Sequence, residues 1–210
     1  MTKQEANQDA LKKFEEKYGF TNADYEVLYT ERITDSVEKR DEINVYVPAY
    51  MDEGEKAKIY SWVEDGKALS EDNMFGYLIR DSYAKKVKDA IEPEFGEAKV
   101  YIRFSQASFH DALGKDATLE DAYEQGEKMI AGIEIAVVFA DGKEAFAEKG
   151  EKVCSDLKNA NLKGTVHLRS VTKEIFEKMD RTNYMTLSSE AGGYDPDGIN
   201  ILDLYRGKSY

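Results

Sequence analysis

The segment Lys86–Phe104 (KVKDAIEPEFGEAKVYIRF) lies over Lys152–Ser170 (KVCSDLKNANLKGTVHLRS) without a gap, at a constant offset of 66. Val87 falls on Val153, Ile91 on Leu157, Val100 on Val166, Ile102 on Leu168 and Arg103 on Arg169. Each copy reads as a helix that closes at a Gly-containing turn and feeds a short strand of alternating polarity. Upstream of each copy an apolar run ends in the same turn, Asp65-Gly66-Lys67 and Asp141-Gly142-Lys143. This doubled order predicts an α+β fold of two related helix–strand units, with mixed sheets packed by amphipathic helices. The boundary is expected near residue 110, giving units over residues 1–110 and 111–210, separate or merged into one domain.

The flanking elements follow from local pattern. Thr2 and Glu5 have the spacing of a capping box, and Ala6, Ala10, Leu11, Phe14 and Tyr18 form one helical stripe over residues 3–18. Gly19 is the stop, because glycine enters the left-handed conformation cheaply. Residues 25–33, 43–50 and 58–63 read as strands, with Pro48 placing the end of the second at an edge or bulge. Their direct succession predicts an antiparallel meander. The spacing then predicts a helix that begins after Ser70-Glu71-Asp72 and runs to about Ile91, and a strand over 99–104.

In the second half, Thr118 and Asp121 open a helix expected to reach Ile130. Ile133–Ala140 is nearly continuous in apolar residues, as a strand covered on both faces requires. A helix over 143–159 and a strand over 165–171 follow, so the strand–helix–strand order predicts a parallel pair. A short helix over 172–179 precedes an expected hairpin of residues 184–188 and 199–205. Its turn contains Asp195-Pro196-Asp197-Gly198, which has only part of a calcium-loop pattern because Gly193 and Leu204 stand where ligands are needed.

Charge narrows the function classes. Asp and Glu outnumber Lys and Arg by 42 to 29, a formal net charge of −13. Nucleic-acid affinity rests on cations that displace phosphate counterions, so nucleic acid is not an expected partner. An acidic surface that meets a basic protein is compatible with this balance. No run of apolar residues is long enough to span a membrane. The single cysteine, Cys154, excludes an intramolecular disulfide and a Cys-rich metal site, and its place beside Val153 and Leu157 reads as a small core residue. No cofactor or metal site is expected.

Four residues form a candidate ligand site. Alternation places His167 and Arg169 on one face of the strand 165–171, and Tyr101 and Arg103 occupy the matching places in the other copy. Two equivalent strands that each offer a ring and a guanidinium can cradle a carboxylate or phosphate. The same residues also suit an exposed sheet face with cross-strand pairs. His110-Asp111 beside Ser105 and Ser108 has the residue types of a hydrolytic triad without its defining context, and no catalytic residue is assigned. The tyrosine-rich front strands suggest an interaction surface at Tyr46, Tyr50 and Trp62, with Tyr46 and Tyr50 sharing strand parity.

Asp72–Ile91 (DNMFGYLIRDSYAKKVKDAI) follows an aromatic strand and an Asp-Gly-Lys turn, and a leading helix ends in Lys17-Tyr18-Gly19. This layout, over roughly residues 5–104, resembles a loose group of uncharacterised exported proteins and lipoproteins of low-GC Gram-positive bacteria. The resemblance implies an extracytoplasmic location, membrane-anchored or secreted, with the signal removed. It implies no reaction. The abrupt helical start at Met1-Thr2 suits such a trimmed chain and a native cytoplasmic one alike. The expected function is a non-catalytic binding or interaction domain, its partner a protein or cell-envelope component. The alternative is an acidic cytoplasmic inhibitor or immunity-type protein that blocks a basic partner.

Overall fold

A computed structural model of the chain describes residues 1–34, 39–95, 97–105, 108–109, 112–126, 129–130, 132–140 and 146–190. The architecture is α+β, with a four-stranded antiparallel sheet and a three-stranded mixed sheet. The chain gathers into two compact units, each drawn from two segments: Met1–Ile79 with Gln106–Glu124, and Arg80–Ser105 with Gln125–Tyr210. This division differs from contiguous spans 1–110 and 111–210.

Unit 1 begins with helix α1 (Lys3–Tyr18), opened by the reciprocal Thr2–Glu5 capping box and closed by Gly19 at φ 69°. Its buried stripe is Ala6, Ala10, Phe14 and Tyr18. Strands β1 (Glu26–Thr34), β2 (Lys39–Tyr46), β3 (Ala57–Glu64) and β4 (Lys67–Asp72) then form a meander in sequence order. Ile43, Val45, Ala57 and Ile59 share one buried sheet face, in a core that also holds Phe14 and Tyr18 from α1.

Strand β4 is not among the expected elements, although the helix expected after Ser70-Glu71-Asp72 does begin there, at Met74. Asp65 (φ 49°) and Gly66 (φ 76°) both lie in the left-handed region, which is the requirement of a tight two-residue hairpin loop. That loop folds Lys67–Asp72 back on β3. Strand β2 ends at Tyr46, short of the expected residue 50, because Val47 to Tyr50 form a turn closed by a Tyr50 N–H to Val47 O bond of 3.0 Å.

Asp72 organises the end of the meander. Its carboxylate accepts hydrogen bonds from the Tyr18 hydroxyl at 2.6 Å, the Lys17 ammonium at 2.8 Å and the Met74 amide at 3.0 Å. The last of these starts helix α2 (Met74–Phe95). The Asp72 carbonyl accepts from Phe109 N–H at 2.7 Å, which ties the second segment of unit 1 to the sheet. In that segment Gly114 presses against α1: a Cβ there would sit 2.7 Å from the Lys17 carbonyl oxygen. Helix α3 (Leu119–Glu124) is shorter than the sequence pattern suggests, and Gly126 follows at φ 97°.

Unit 2 holds the sheet β5-β6-β7, made of β5 (Ala98–Phe104), β6 (Ile133–Ala140) and β7 (Thr165–Val171). Strand β5 runs antiparallel to β6, whereas β7 runs parallel to it after helix α4 (Phe146–Asn159), as strand–helix–strand order predicts. Both copies of the repeat therefore lie in unit 2, antiparallel to each other on either side of β6. Most equivalent apolar positions are equally hidden: Val87, Val153, Ile91 and Leu157 are each 0% exposed, and Ile102 and Leu168 each 7%, whereas Val100 is half-buried and its counterpart Val166 is 2% exposed.

Two short helices follow, α5 (Lys173–Lys178) and α6 (Tyr184–Glu190). The sequence pattern assigned residues 184–188 to a strand. The Asp180 side chain instead accepts from the amides of Thr182 and Asn183, and the Tyr184 amide bonds to the Asp180 carbonyl, so the chain enters a helix there. The strand 199–205 and the Asp195–Gly198 turn lie outside the described residues. No described helix is long and apolar enough to cross a membrane.

Candidate functional site

Strand parity and register place the four predicted ligand residues on one face of the β5-β6-β7 sheet. Tyr101 pairs with Ala136, and Ala136 pairs with His167, so the two rings flank the smallest residue of the row. Arg103 pairs with Glu134 in one neighbouring row, and Arg169 pairs with Val138 in the other. Because the two copies run in opposite directions, the arginines stand on opposite sides of the Tyr101–Ala136–His167 row. The opposite face carries Ile102, Ile135, Val137 and Leu168, which are buried.

Helices α5 and α6 lie on the face that bears Ala136 and Val138, through a cluster of Phe176, Met179 and Tyr184. The Lys99 ammonium donates to the carbonyls of Phe176 and Met179, each at 2.6 Å, and so satisfies the end of α5. The Tyr184 ring stacks on Tyr101 with centroids 4.5 Å apart and planes at 14°. Burial, with the nearby Asp180 carboxylate and Tyr184, pushes the Tyr101 hydroxyl up to about 12.

The charged residues are unevenly partnered. Arg103 reaches Glu134 through Nε at 3.7 Å, and its Nη1 donates to the Met185 sulfur at 3.4 Å. The side chains of Arg169 and His167, both half-buried, make no hydrogen bond or ion pair among the described residues. Burial holds His167 below its ordinary pKa; Glu134 opposes this shift, and Arg169 and Arg103 add to it. Burial raises Tyr184, with Arg103 and Arg169 acting against that rise and Glu134 with it. Both guanidiniums thus act on the same two rings. Glu134 and Tyr184 belong to this cluster, and no local signal in the sequence marked them.

The predicted tyrosine-rich surface does not come together. Tyr46 ends β2 half-buried, Trp62 sits half-buried on β3 opposite Leu69, and Tyr50 lies in the turn after β2. Tyr46 and Trp62 do share a sheet face, but the Asn44–Lys58 and Glu42–Tyr60 rows separate them. Tyr50 is 37% exposed, with its ring 6.0 Å from that of Phe20. The ladder of Tyr46 and Tyr50 is thus absent, because the strand ends between them.

Unit 1 exposes a different surface. Strand β1 is an edge strand, and all its residues but Ile33 are exposed. Val27, Leu28 and Tyr29 are each 43% exposed, with Leu28 the extra residue of a bulge between Val27 and Tyr29. Exposed Glu26 and Glu31 flank them.

Other candidates resolve simply. Burial pushes the Cys154 thiol up to about 11, with Glu151 adding to the shift, so it is protonated at neutral pH. Ser108 donates to Glu71 at 2.6 Å and Ser105 to the Gly132 carbonyl at 3.2 Å, while His110 and Asp111 lie outside the described residues. Among the described residues no cluster of three or more His, Cys, Asp or Glu could hold a metal ion.

No family model matches the chain, and no curated protein matches it. Among solved structures it is similar to a DUF5037 family protein from Ruminococcus gnavus ATCC 29149, at 13% identity and a TM-score of 0.40, over 81% of this chain and 78% of that one.

Proposed function

We propose that the protein is a non-catalytic binding domain whose unit 1 recognises a basic partner protein. The observation that carries this reading is the segregation of charge. Unit 1 contains 23 Asp and Glu against 11 Lys and Arg, a formal −12, whereas unit 2 contains 19 against 18, a formal −1. Nearly the whole net charge of the chain belongs to one compact unit. A charge needed only for solubility has no reason to be divided so unequally. A concentrated field of one sign steers a partner of the opposite sign and suppresses like-charged competitors.

The exposed Val27–Tyr29 stretch supplies apolar contact inside this acidic unit, and an edge strand can accept an extended segment of another chain. The resemblance at Lys17-Tyr18-Gly19 and Asp72–Ile91 favours a partner outside the cytoplasm, a protein or another component of the cell envelope.

The test is affinity capture on the immobilised protein from extracellular and cytosolic fractions of the source cells, followed by binding measurements with the purified partner. The expected partner is basic, its affinity falls steeply with salt, and the double variant Glu26→Lys/Glu31→Lys releases it. Binding indifferent to both salt and charge reversal would remove the reading.

A further inference from the structure

We propose that unit 2 carries an oxyanion-binding site, in which Arg169 and Arg103 hold a carboxylate or phosphate group beside His167 on the Tyr101 face of the sheet. The inference is independent of unit 1 and its partner.

The two guanidiniums carry unused donors. A guanidinium has five N–H donors and no acceptor, and it is most strongly satisfied by a planar oxyanion. Arg169 is half-buried, yet among the described residues its side chain has neither a hydrogen-bond nor an ion-pair partner. Arg103 is only partly satisfied: its nearest carboxylate is 3.7 Å away at Nε, and a thioether sulfur, a weak acceptor, takes Nη1. His167 between them also lacks a side-chain partner, and a neutral imidazole has one N–H to give.

Charge points the same way. Arg103, Arg169 and Glu134 sum to one positive charge in a chain of net −13. Partial burial of Arg169 and His167 reduces the screening that weakens exposed charges. The stacked Tyr101 and Tyr184 rings give the cluster a rigid wall. Lysine would serve less well, because the arginine fork fixes the orientation of a carboxylate or phosphate as well as attracting it.

The experiment follows the imidazole resonances by NMR at neutral pH while sodium acetate, inorganic phosphate or, as a control, sodium chloride is added at matched ionic strength. His110 and His167 are the only histidines, so His167→Gln assigns the signal. The expected result is a saturable shift of His167 with acetate, with phosphate or with both, and none with chloride. Acetate alone identifies a carboxylate ligand, phosphate alone a phosphate ligand, and both a site for either. Arg169→Gln and Arg103→Gln should each weaken the response about tenfold or more, as loss of a charge-assisted hydrogen bond does. Lys158→Gln, at an exposed position on α4, should leave it unchanged. If Arg169→Gln does not fold, Arg169→Lys decides, since it keeps the charge and loses the fork; a severalfold loss is expected. Shifts that never saturate, shifts shared with chloride, or undiminished affinity in the Arg169 variant that folds would overturn the proposal.

Discussion

The ring of Tyr184, the first residue of α6, lies flat on that of Tyr101 in β5, centroid to centroid 4.5 Å and 14° from parallel. The sequence separates these residues widely, and the sheet face brings them together. Tyr184 is 8% exposed and, with Leu187, joins α6 to the apolar cluster on this sheet face. A helix of seven residues has little stability of its own, since nucleation is costly and few bonds follow it. A double-mutant cycle with Tyr101→Ala and Tyr184→Ala should give a coupling of about 0.5–1.5 kcal/mol beyond the separate losses of burial. Urea unfolding of the four proteins measures it. Strict additivity would mean that α6 is held by something other than this pair.

The second prediction concerns acid. His167 is half-buried between two guanidiniums, and burial is the main cause that holds its folded pKa below the ordinary 6.5, with Glu134 restoring part of the loss. The unfolded chain therefore takes up a proton first as the pH falls. Stability from the neutral ring is complete above about 6.5 and declines below it, levelling off once the folded protein is also protonated. The urea midpoint of the wild type should fall between pH 7.5 and 5.5, and His167→Gln should fall by less. Equal losses in both proteins would assign the slope to other groups.

Which parts of this structure were legible depends on how far each signal reaches along the chain. The Thr2–Glu5 box and Gly19 act within a turn of their own position, and they bound α1 as read. Parity is equally local, so Tyr101, Arg103, His167 and Arg169 could be assigned to common strand faces. Whether the two strands meet is a matter of register, and only the structure sets them on either side of β6, with the Ala136 row between the arginine rows and Glu134 beside Arg103. The α6 error has the same origin. Tyr184–Ser188 contains the aromatic and β-branched residues of a strand, yet Asp180 upstream captures the amides that start a helix. In the meander, the Asp-Gly pair marks a turn by itself, whereas its partner strand β4 leaves no signal, because Lys67–Asp72 has too few apolar residues to announce itself.

The last prediction tests the buried pair in unit 1. Asp72 is 5% exposed and the Lys17 side chain 11%, and their charged atoms lie 2.8 Å apart. The same carboxylate accepts from Tyr18 and starts α2 at the Met74 amide. Removing it strands an ammonium out of water, frees a buried hydroxyl and leaves a helix start without its acceptor. Breaking a buried pair from one side typically costs about 3–5 kcal/mol, most of it the penalty for the charge left behind. Asp72→Ala should therefore destabilise unit 1 by about that amount in urea unfolding. Asp72→Asn should cost less, because the amide oxygen can still accept from Tyr18 or the Met74 amide. Adding Lys17→Met to Asp72→Asn should recover part of the loss, since the stranded charge disappears with the lysine. If Asp72→Ala cost no more than an exposed surface substitution, about 0.5 kcal/mol, the carboxylate would not be what fastens α1 to the end of the meander.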